Sequence, residues 1–301
     1  MTRNDPQMQT PDTIQIFCQD WPDYELLDSG YGKKLERFGK YILIRGEAKA
    51  WWEPELSPKE WEQAVAFHSG EENTGWTLYQ SVPREWLVQI ESLTVQARFL
   101  AASKHIGIFP EKITHWQWIA EKISSARPRP IQVLNLFGYT GIASLVAAAA
   151  GASVTHVDSA KGVVTWARYN QQLSGIEKLP IRWIVDDAVK FVRREHRRNK
   201  RYDAIILDPP AFGRGPQNEL WKIEDNLVEL LADCRDILSD DPLFVLITMY
   251  SINQSALLIG NLLQDMMQCC GGVIEVGELC LKPKSSTKIL AMAHFGQWYA
   301  R

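Results

Sequence analysis

The sequence predicts an α/β protein: a parallel sheet with helices on both faces, ended by an antiparallel hairpin and preceded by a small β-rich domain. Three observations predict it. Short apolar runs alternate with amphipathic ones between residues 131 and 248. Residues 273–282 and 288–298 read as adjacent strands across Lys-Pro-Lys-Ser-Ser, and short apolar runs broken by Gly and Pro fill the chain before residue 90.

Bulk properties bound what such a chain can be. Its 301 residues, 46% hydrophobic and 23% charged, can bury one large core or a large and a small one. The net charge of −3 provides no global basic field, so any nucleic-acid contact must be a local patch. No apolar run is long enough to span a bilayer, and the polar start MTRNDPQMQTPD lacks a signal segment, which predicts a cytoplasmic protein without a membrane partner. Five cysteines with no CxxC pair indicate neither a disulfide framework nor a metal site. Oligomeric state has no signature in the sequence.

Residues 1–90 are expected to form the small β-rich domain, the first 12 or so being loosely attached, and residues 91–301 the larger one. Trp21, Trp51, Trp52, Trp61, Trp76 and Trp86 crowd the first. They suit the core of a small domain, with stacking on RNA bases as the alternative. Val88 and Ile90, then Leu93, Val95, Ala97 and Phe99, alternate with polar residues as a strand or hairpin crossing between the domains. A short helix over 116–123 stops at Ala-Arg-Pro-Arg-Pro. Strand 131–137 then leads to helix 141–150, strand 153–157 and helix 160–173. Strand 181–185, helix 187–199, strand 203–207, helix 219–238 and strand 243–248 complete the alternation.

The strand ends carry the chemistry. "IQVLNLFGYTG" runs from a buried strand into Phe137, Gly138, Tyr139, Thr140 and Gly141, a tight turn of the kind that brings backbone close to a ligand. A phosphate-binding loop would need Gly-Lys-Ser/Thr, which is absent; a dinucleotide turn would need a glycine where Leu136 stands. S-adenosylmethionine (SAM) has no pyrophosphate and needs neither. "SVTHVD" ends in Asp158, placed to accept two ribose hydroxyls, with Ser159 as the better cap for the following helix. "IVDDAVKFV" offers Asp187 to an adenine amino group and the Ala188 amide to a ring nitrogen. Asp186 rivals Asp187, one of the two being only a helix-start charge. "YDAIILDPPAF" drives four apolar residues into Asp208-Pro209-Pro210, where two prolines force the chain out of the sheet at its ligand-binding edge. Asp208 and the Pro209 carbonyl are acceptors beside Phe212, a flat wall suited to an amino-bearing base near a sulfonium methyl.

With these stretches in view, the chain resembles the class I SAM-dependent methyltransferases, whose Rossmann-like seven-stranded sheet ends in an antiparallel hairpin. Among them it is similar to the bacterial group of large-subunit ribosomal RNA cytosine-C5 and guanine-N7 methyltransferases. "VLNLFGYTG", "HVDSAKGVVTWARYNQQLSGI", "IVDDAVKFVRRE" and "YDAIILDPPAFGRG" carry the resemblance, over roughly residues 93–298. "HIGIFPE" is similar to a segment that folds over the cofactor in such enzymes, and residues 24–52 resemble the amino-terminal segment of one branch of the group. The resemblance implies SAM contacts from Phe137, Gly138, Tyr139, Thr140, Gly141, Asp158, Ser159, Asp187, Ala188 and Asp208. It implies that Asp208, Pro209, Pro210 and Phe212 face the reacting centre, and that Asn170 is structural.

One departure redirects the chemistry. Cytosine-C5 enzymes of this kind attack with a cysteine, but strand five ends in Met249-Tyr250-Ser251 and position 211 is alanine. Cytosine C5 is a poor nucleophile until a thiolate adds at C6. The expectation is therefore a SAM-dependent methyltransferase acting on RNA, ribosomal RNA first, by direct transfer to nitrogen or oxygen. The alternatives are a small-molecule or protein substrate, a non-catalytic RNA-binding or assembly module, and, more distantly, a nicotinamide dehydrogenase. The run "KFVRREHRRNKR" (190–201) is a candidate phosphate contact, with a solvated helix face as its bland alternative.

Overall fold

The structure is a computed structural model describing residues 13–18, 21–71, 74–126, 129–250 and 254–301. The expected loose segment 1–12, part of the Pro-rich helix stop and Ser251 lie outside those residues.

The first strands are β1 (Thr13–Phe17), β2 (Tyr24–Gly30), β3 (Lys33–Phe38) and β4 (Tyr41–Gly46). After helix α1 (Pro58–Trp61) come β5 (Ala66–His68), β6 (Thr77–Leu78), β7 (Glu85–Ile90) and β8 (Leu93–Arg98). Strands β2–β6 form a five-stranded sheet in chain order, and β7 and β8 pair as a hairpin. Alternation builds them: Trp86, Val88 and Ile90 are buried on β7 while Glu85, Leu87 and Gln89 face solvent. Trp21 and Trp86 are buried, and Trp52 and Trp76 pack on the same core, so these tryptophans serve packing. Trp51 is different, at 86% exposure.

A 3-10 turn (Pro110–Lys112) opens α2 (Ile113–Ser125). The chain then runs β9 (Gln132–Leu136), α3 (Ile142–Ala149), β10 (Ser153–Asp158), α4 (Lys161–Leu173), β11 (Ile181–Val185), α5 (Ala188–Arg197) and β12 (Ala204–Leu207). A small hairpin follows, β13 (Phe212–Arg214) and β14 (Leu220–Lys222), then α6 (Ile223–Arg235), β15 (Phe244–Met249), α7 (Ala256–Met267), β16 (Val273–Leu281) and β17 (Leu290–Tyr299).

The main sheet has the order β1-β16-β17-β15-β12-β9-β10-β11, parallel from β15 to β11, with β17 antiparallel to both β15 and β16. This is the expected seven-stranded sheet with its antiparallel hairpin, plus an eighth strand. Every residue of β12 and β15 is buried, as a sheet covered on both faces requires. The chain winds outward in opposite directions from β9 and β12, so the crevice between their carboxyl ends is the topological switch point.

Three expectations need correction. Residues 13–17 belong to the main sheet, where β1 pairs in parallel with β16 and covers an otherwise open edge. A division at residue 90 cuts the β7–β8 hairpin, whose second strand packs on α4. Residues 219–222 are not helical: the double proline sends the chain out and β14 returns against β13, held by the Trp221 indole N–H donating to the Pro210 carbonyl at 2.6 Å. Helix α7 was not foreseen either; it buries Ile259, Leu263, Met266 and Met267 on the terminal hairpin.

Candidate active site at the carboxyl edge of the sheet

The turn after β9 is held in an unusual shape. Phe137 and Tyr139 adopt left-handed φ angles of 55° and 49°, a conformation that costs non-glycine residues roughly 1–3 kcal/mol each. Fixed hydrogen bonds impose it: Gly138 N–H donates to Val157 O at 3.1 Å, and Tyr139 N–H to Asp158 Oδ2 at 2.9 Å. A Cβ on Gly138 would lie 2.3 Å from the His156 ring, and one on Gly141, at φ 83°, 2.8 Å from the Ala167 Cβ. The two glycines are thus required by packing against β10 and α4. Phe137 and Tyr139 turn toward a cavity of about 550 Å³.

That cavity lies between the carboxyl edge of the sheet and the N-terminal strands. The edge contributes Phe137, Tyr139, Asp158, Ser159, Asp208, Pro209, Pro210 and Phe212, so all four residues expected at the reacting centre line it. Asp158 accepts from Tyr139 N–H and from Ala160 N–H, both at 2.9 Å, leaving further carboxylate lone pairs for a ligand. Burial holds its carboxyl above the usual range and nearby Asp208 adds to the effect, against the backbone amides. Two neighbouring carboxylates in a half-buried space favour a cation between them.

Asp208 itself is asymmetric. Lys112, at the start of α2, contacts Oδ2, whereas Oδ1 is buried and has no hydrogen-bond partner among the described residues. Glu111 presents a second such atom, Oε1, in the same cavity, and burial raises its pKa. Tyr250 and Phe109 complete this wall with rings 5.1 Å apart.

A side lobe of about 40 Å³ continues past Phe137, Asp158 and Ser159 to Asp186, Asp187 and Ala188, narrowed by Gly213, Arg214 and Trp221 of the β13–β14 hairpin. Asp187 is the helix-start charge: its side chain caps α5 by accepting from Lys190 N–H at 2.9 Å. Asp186 also has a local duty, accepting from Asp187 N–H at 2.9 Å and pairing with Arg194.

Other expectations fall differently. Thr140 is buried and donates to Gly107 O at 2.6 Å; with Gly138 and Gly141 it shapes the turn without lining the cavity. Ser159 does not cap α4, whose N-cap is Ala160; it lines both the cavity and the lobe. Asn170 is structural as expected, tying Gln96 N–H (2.9 Å) to Thr140 O (3.0 Å). None of the five cysteines lines the cavity, and the described residues hold no cluster of His, Cys, Asp and Glu fit for a metal. Sequence reasoning missed Lys112, Glu111 and the whole opposite wall, Lys34, Arg45, Glu47, Lys49, Lys104 and His105. Only "HIGIFPE" had pointed toward part of it.

The basic run 190–201 is largely neutralised. Lys190 pairs with Glu219 at 2.5 Å, Arg193 with Glu229 and Asp233, Arg194 with Asp186, and Arg198 with Glu195. Phe191 and Val192 anchor it, fully buried. This favours the solvated helix face over a phosphate grip.

A doubly wound sheet of this strand order, with acids at its strand tips around a crevice at the switch point, defines a class I methyltransferase. The chain belongs to the S-adenosylmethionine-dependent methyltransferase family, whose model matches residues 71–243, and SAM is its cofactor. A SAM-dependent methyltransferase from Agrobacterium tumefaciens is 40% identical, with a TM-score of 0.93 over 99% of this chain and 97% of that one. A structure solved in complex with S-adenosylhomocysteine (SAH) shares the fold at 17% identity, with a TM-score of 0.71 over 92% of this chain and 75% of the other. Among curated proteins, the ribosomal RNA large subunit methyltransferase K/L of Shewanella baltica is 33% identical over 123 residues, 40% of this chain and 17% of that protein. The same enzyme of Shewanella frigidimarina is 24% identical over 248 residues, 76% of this chain and 33% of its own length. The chain thus spans a third or less of these curated relatives. No helix among the described residues is long and apolar enough to cross a membrane.

Proposed function

We infer that this enzyme methylates RNA, with ribosomal RNA as the first candidate, at a base nitrogen or oxygen and without a covalent enzyme intermediate. The observation that carries the reading is Asp208 Oδ1, a buried acceptor without a partner, held in a cavity beside the Phe212 ring. An exocyclic N–H of a flat base satisfies it, and leaving it unmade is expensive in a half-buried site. The K/L relatives, ribosomal RNA large subunit methyltransferases, support RNA as the substrate. The absence of cysteine from the cavity lining removes the thiolate that covalent cytosine-C5 methylation would require.

The residues fit the cofactor. Asp158 and Asp208 make the sheet side of the cavity attractive to a cation, and Asp158 would take the ribose hydroxyls, with Phe137 and Tyr139 lining the cavity beside it. The lobe at Asp187 and Ala188 is the end of the cavity toward which the adenine would point. Bound SAM supplies a sulfonium methyl group that an in-line nucleophile can take. The chain's own contribution is positioning: Asp208 and Pro209 orient the base, Phe212 and Pro210 flank it, and Lys112 fixes Asp208.

Nucleoside mass spectrometry of RNA from a deletion strain and its parent tests this. One methylated nucleoside should disappear and return with the wild-type gene, but not with Asp208→Ala. Unchanged RNA alongside methyl transfer to a protein or small molecule would overturn the reading.

A further inference from the structure

The cavity has walls of opposite sign. Asp158 and Asp208 line the sheet side, whereas the N-terminal strands and the loops after β4 and β8 contribute Lys34, Arg45, Lys49 and Lys104. Carboxylates near this second wall are too few to balance it. Glu36, fully buried, binds Arg45 through both oxygens (2.7 and 2.8 Å) and Lys34 at 3.4 Å, and Glu47 lines the wall itself. Glu111 also lies within electrostatic reach of Lys34 and Arg45, so among the described residues four cations face three carboxylates, Glu36, Glu47 and Glu111.

The surplus is on Lys49 and Lys104. Lys104 Nζ donates to Gly46 O at 2.8 Å, and Lys49 Nζ to Ala291 O and Met292 O, both at 2.9 Å. A carbonyl orients an ammonium but cancels none of its charge, and each ammonium has three N–H donors. Burial lowers the Lys104 pKa, and His105 beside it is held neutral, down to about 3, by burial and then by Arg45, Lys104 and Lys34. A half-buried Lys104 and an exposed Lys49 at the rim, neither paired with a carboxylate among the described residues, suit an anion.

We propose that this wall is a phosphate subsite: Lys49 and Lys104, backed by Arg45 and Lys34, grip a phosphate of the nucleotide whose base reaches Asp208. The identity of the phosphate carrier rests on the RNA reading above. Opposed walls divide the ligands by charge, with the cationic cofactor on the acidic side and the anionic backbone on the basic one. Trp51, 86% exposed and two residues from Lys49, offers an adjoining base a stacking face, which favours a polynucleotide over a lone phosphate.

The test compares wild type with Lys49→Ala and with Lys49→Ala/Lys104→Ala. It uses a fluorescent 20-nucleotide single-stranded RNA, SAH calorimetry and thermal shift with inorganic pyrophosphate. Lys49 is exposed, so its single variant keeps the test open if the double variant melts. The proposal expects RNA affinity to fall about tenfold or more in the double variant and SAH affinity to stay. The log–log salt slope should become shallower by about 0.7 per lost contact, and pyrophosphate should stabilise wild type but not the variant. Unchanged RNA affinity and salt slope in folded variants overturn it. A tenfold loss of SAH affinity also overturns it, because the wall would then hold the cofactor carboxylate. If wild type ignores RNA but its pyrophosphate response depends on the lysines, the subsite stands and the RNA reading falls.

Discussion

Lys112 reaches across 96 residues of chain to hold Oδ2 of Asp208, and Oδ1 of the same carboxylate has no partner among the described residues. One contact thus does two things: it fixes the plane of the acid at the end of β12 and leaves a single acceptor for a ligand. The ammonium lies 5.3 Å from the centre of the Tyr250 ring and 5.9 Å from that of Phe109, so two aromatic faces help place it.

Asp208→Asn preserves shape while removing the charge and reversing one acceptor. We expect kcat to fall by about 10²-fold or more, the usual cost of losing a preorganised electrostatic group, with SAH affinity changed little. Lys112→Met should lower kcat less, since Asp208 then keeps its charge and loses its orientation. Steady-state kinetics on the substrate that the nucleoside comparison identifies decide it; undiminished kcat in Asp208→Asn would exclude the residue from the reacting centre.

Asp158→Ala should weaken SAM binding by about 2–3 kcal/mol, the value of hydrogen bonds to a charged acceptor. The same change releases the amides of Tyr139 and Ala160, so the turn loosens and stability falls as well. Calorimetry and urea melts separate the two costs. Wild-type SAM affinity in the variant would move the ribose site elsewhere.

Stability should decline on acidification because three histidines, His105, His115 and His156, stay neutral in the fold. Burial lowers His115 and His156 to about 3 from 6.5, and His115 packs edge-on against Phe295 at 4.8 Å with neither ring nitrogen bonded among the described residues. Below pH 6.5 the unfolded chain takes up protons that the native state refuses, so stability is lost as pH falls from 6.5 toward 3. Each histidine contributes up to about 1.4 kcal/mol per pH unit in that window. Urea melts at pH 7.5 and 5.5 should show the loss, and His115→Leu should flatten it by one proton's share. Identical melting at both pH values would refute the assignment.

How much of this was legible follows from chain distance. The strand tips Asp158 and Asp208 could be read because each lies at the end of an apolar run, where the chain must leave the sheet. The turn at Gly138 and Gly141 was equally visible, but a glycine beside a ligand and a glycine under a packed ring look alike: both simply exclude a Cβ. His156 and Ala167, which decide between them, approach only in three dimensions. Lys112 and the wall from Lys34 to Lys104 were illegible for the same reason. Their role depends on how the N-terminal strands settle over the sheet edge, and β1 crosses to the far edge of that sheet with no motif to announce it.

The run 190–201 yields a prediction of no effect. Reversing Arg194, Arg197 and Arg198 to Glu should leave the salt slope of RNA binding unchanged, because Arg194 and Arg198 already pair with Asp186 and Glu195. Stability should fall, since Glu195 is buried and relies on Arg198, Arg182 and the Tyr202 hydroxyl at 2.9 Å. A flattened salt slope in the folded triple variant would return this helix to the RNA interface.

Trp51 provides the sharpest separation of substrate contact from folding. The other N-terminal tryptophans are wholly or partly buried, so their removal damages the core; Trp51 is 86% exposed, and its indole donates only to the nearby Ala48 carbonyl at 2.5 Å. An exposed indole gains little by remaining in water, and base stacking on such a ring contributes roughly 1–3 kcal/mol by alanine substitution. Trp51→Ala should therefore weaken RNA binding about fivefold to a hundredfold, by the same stacking range, while leaving thermal stability and SAH affinity as they were. Trp51→Phe should recover part of the loss, since a smaller ring still stacks. Fluorescence gives an independent readout, because stacking quenches an exposed indole and the titration with RNA should saturate at the same affinity seen by anisotropy. If Trp51→Ala binds RNA as wild type does, the loop beside Lys49 does not meet a base, and the substrate enters the cavity from the Phe212 side.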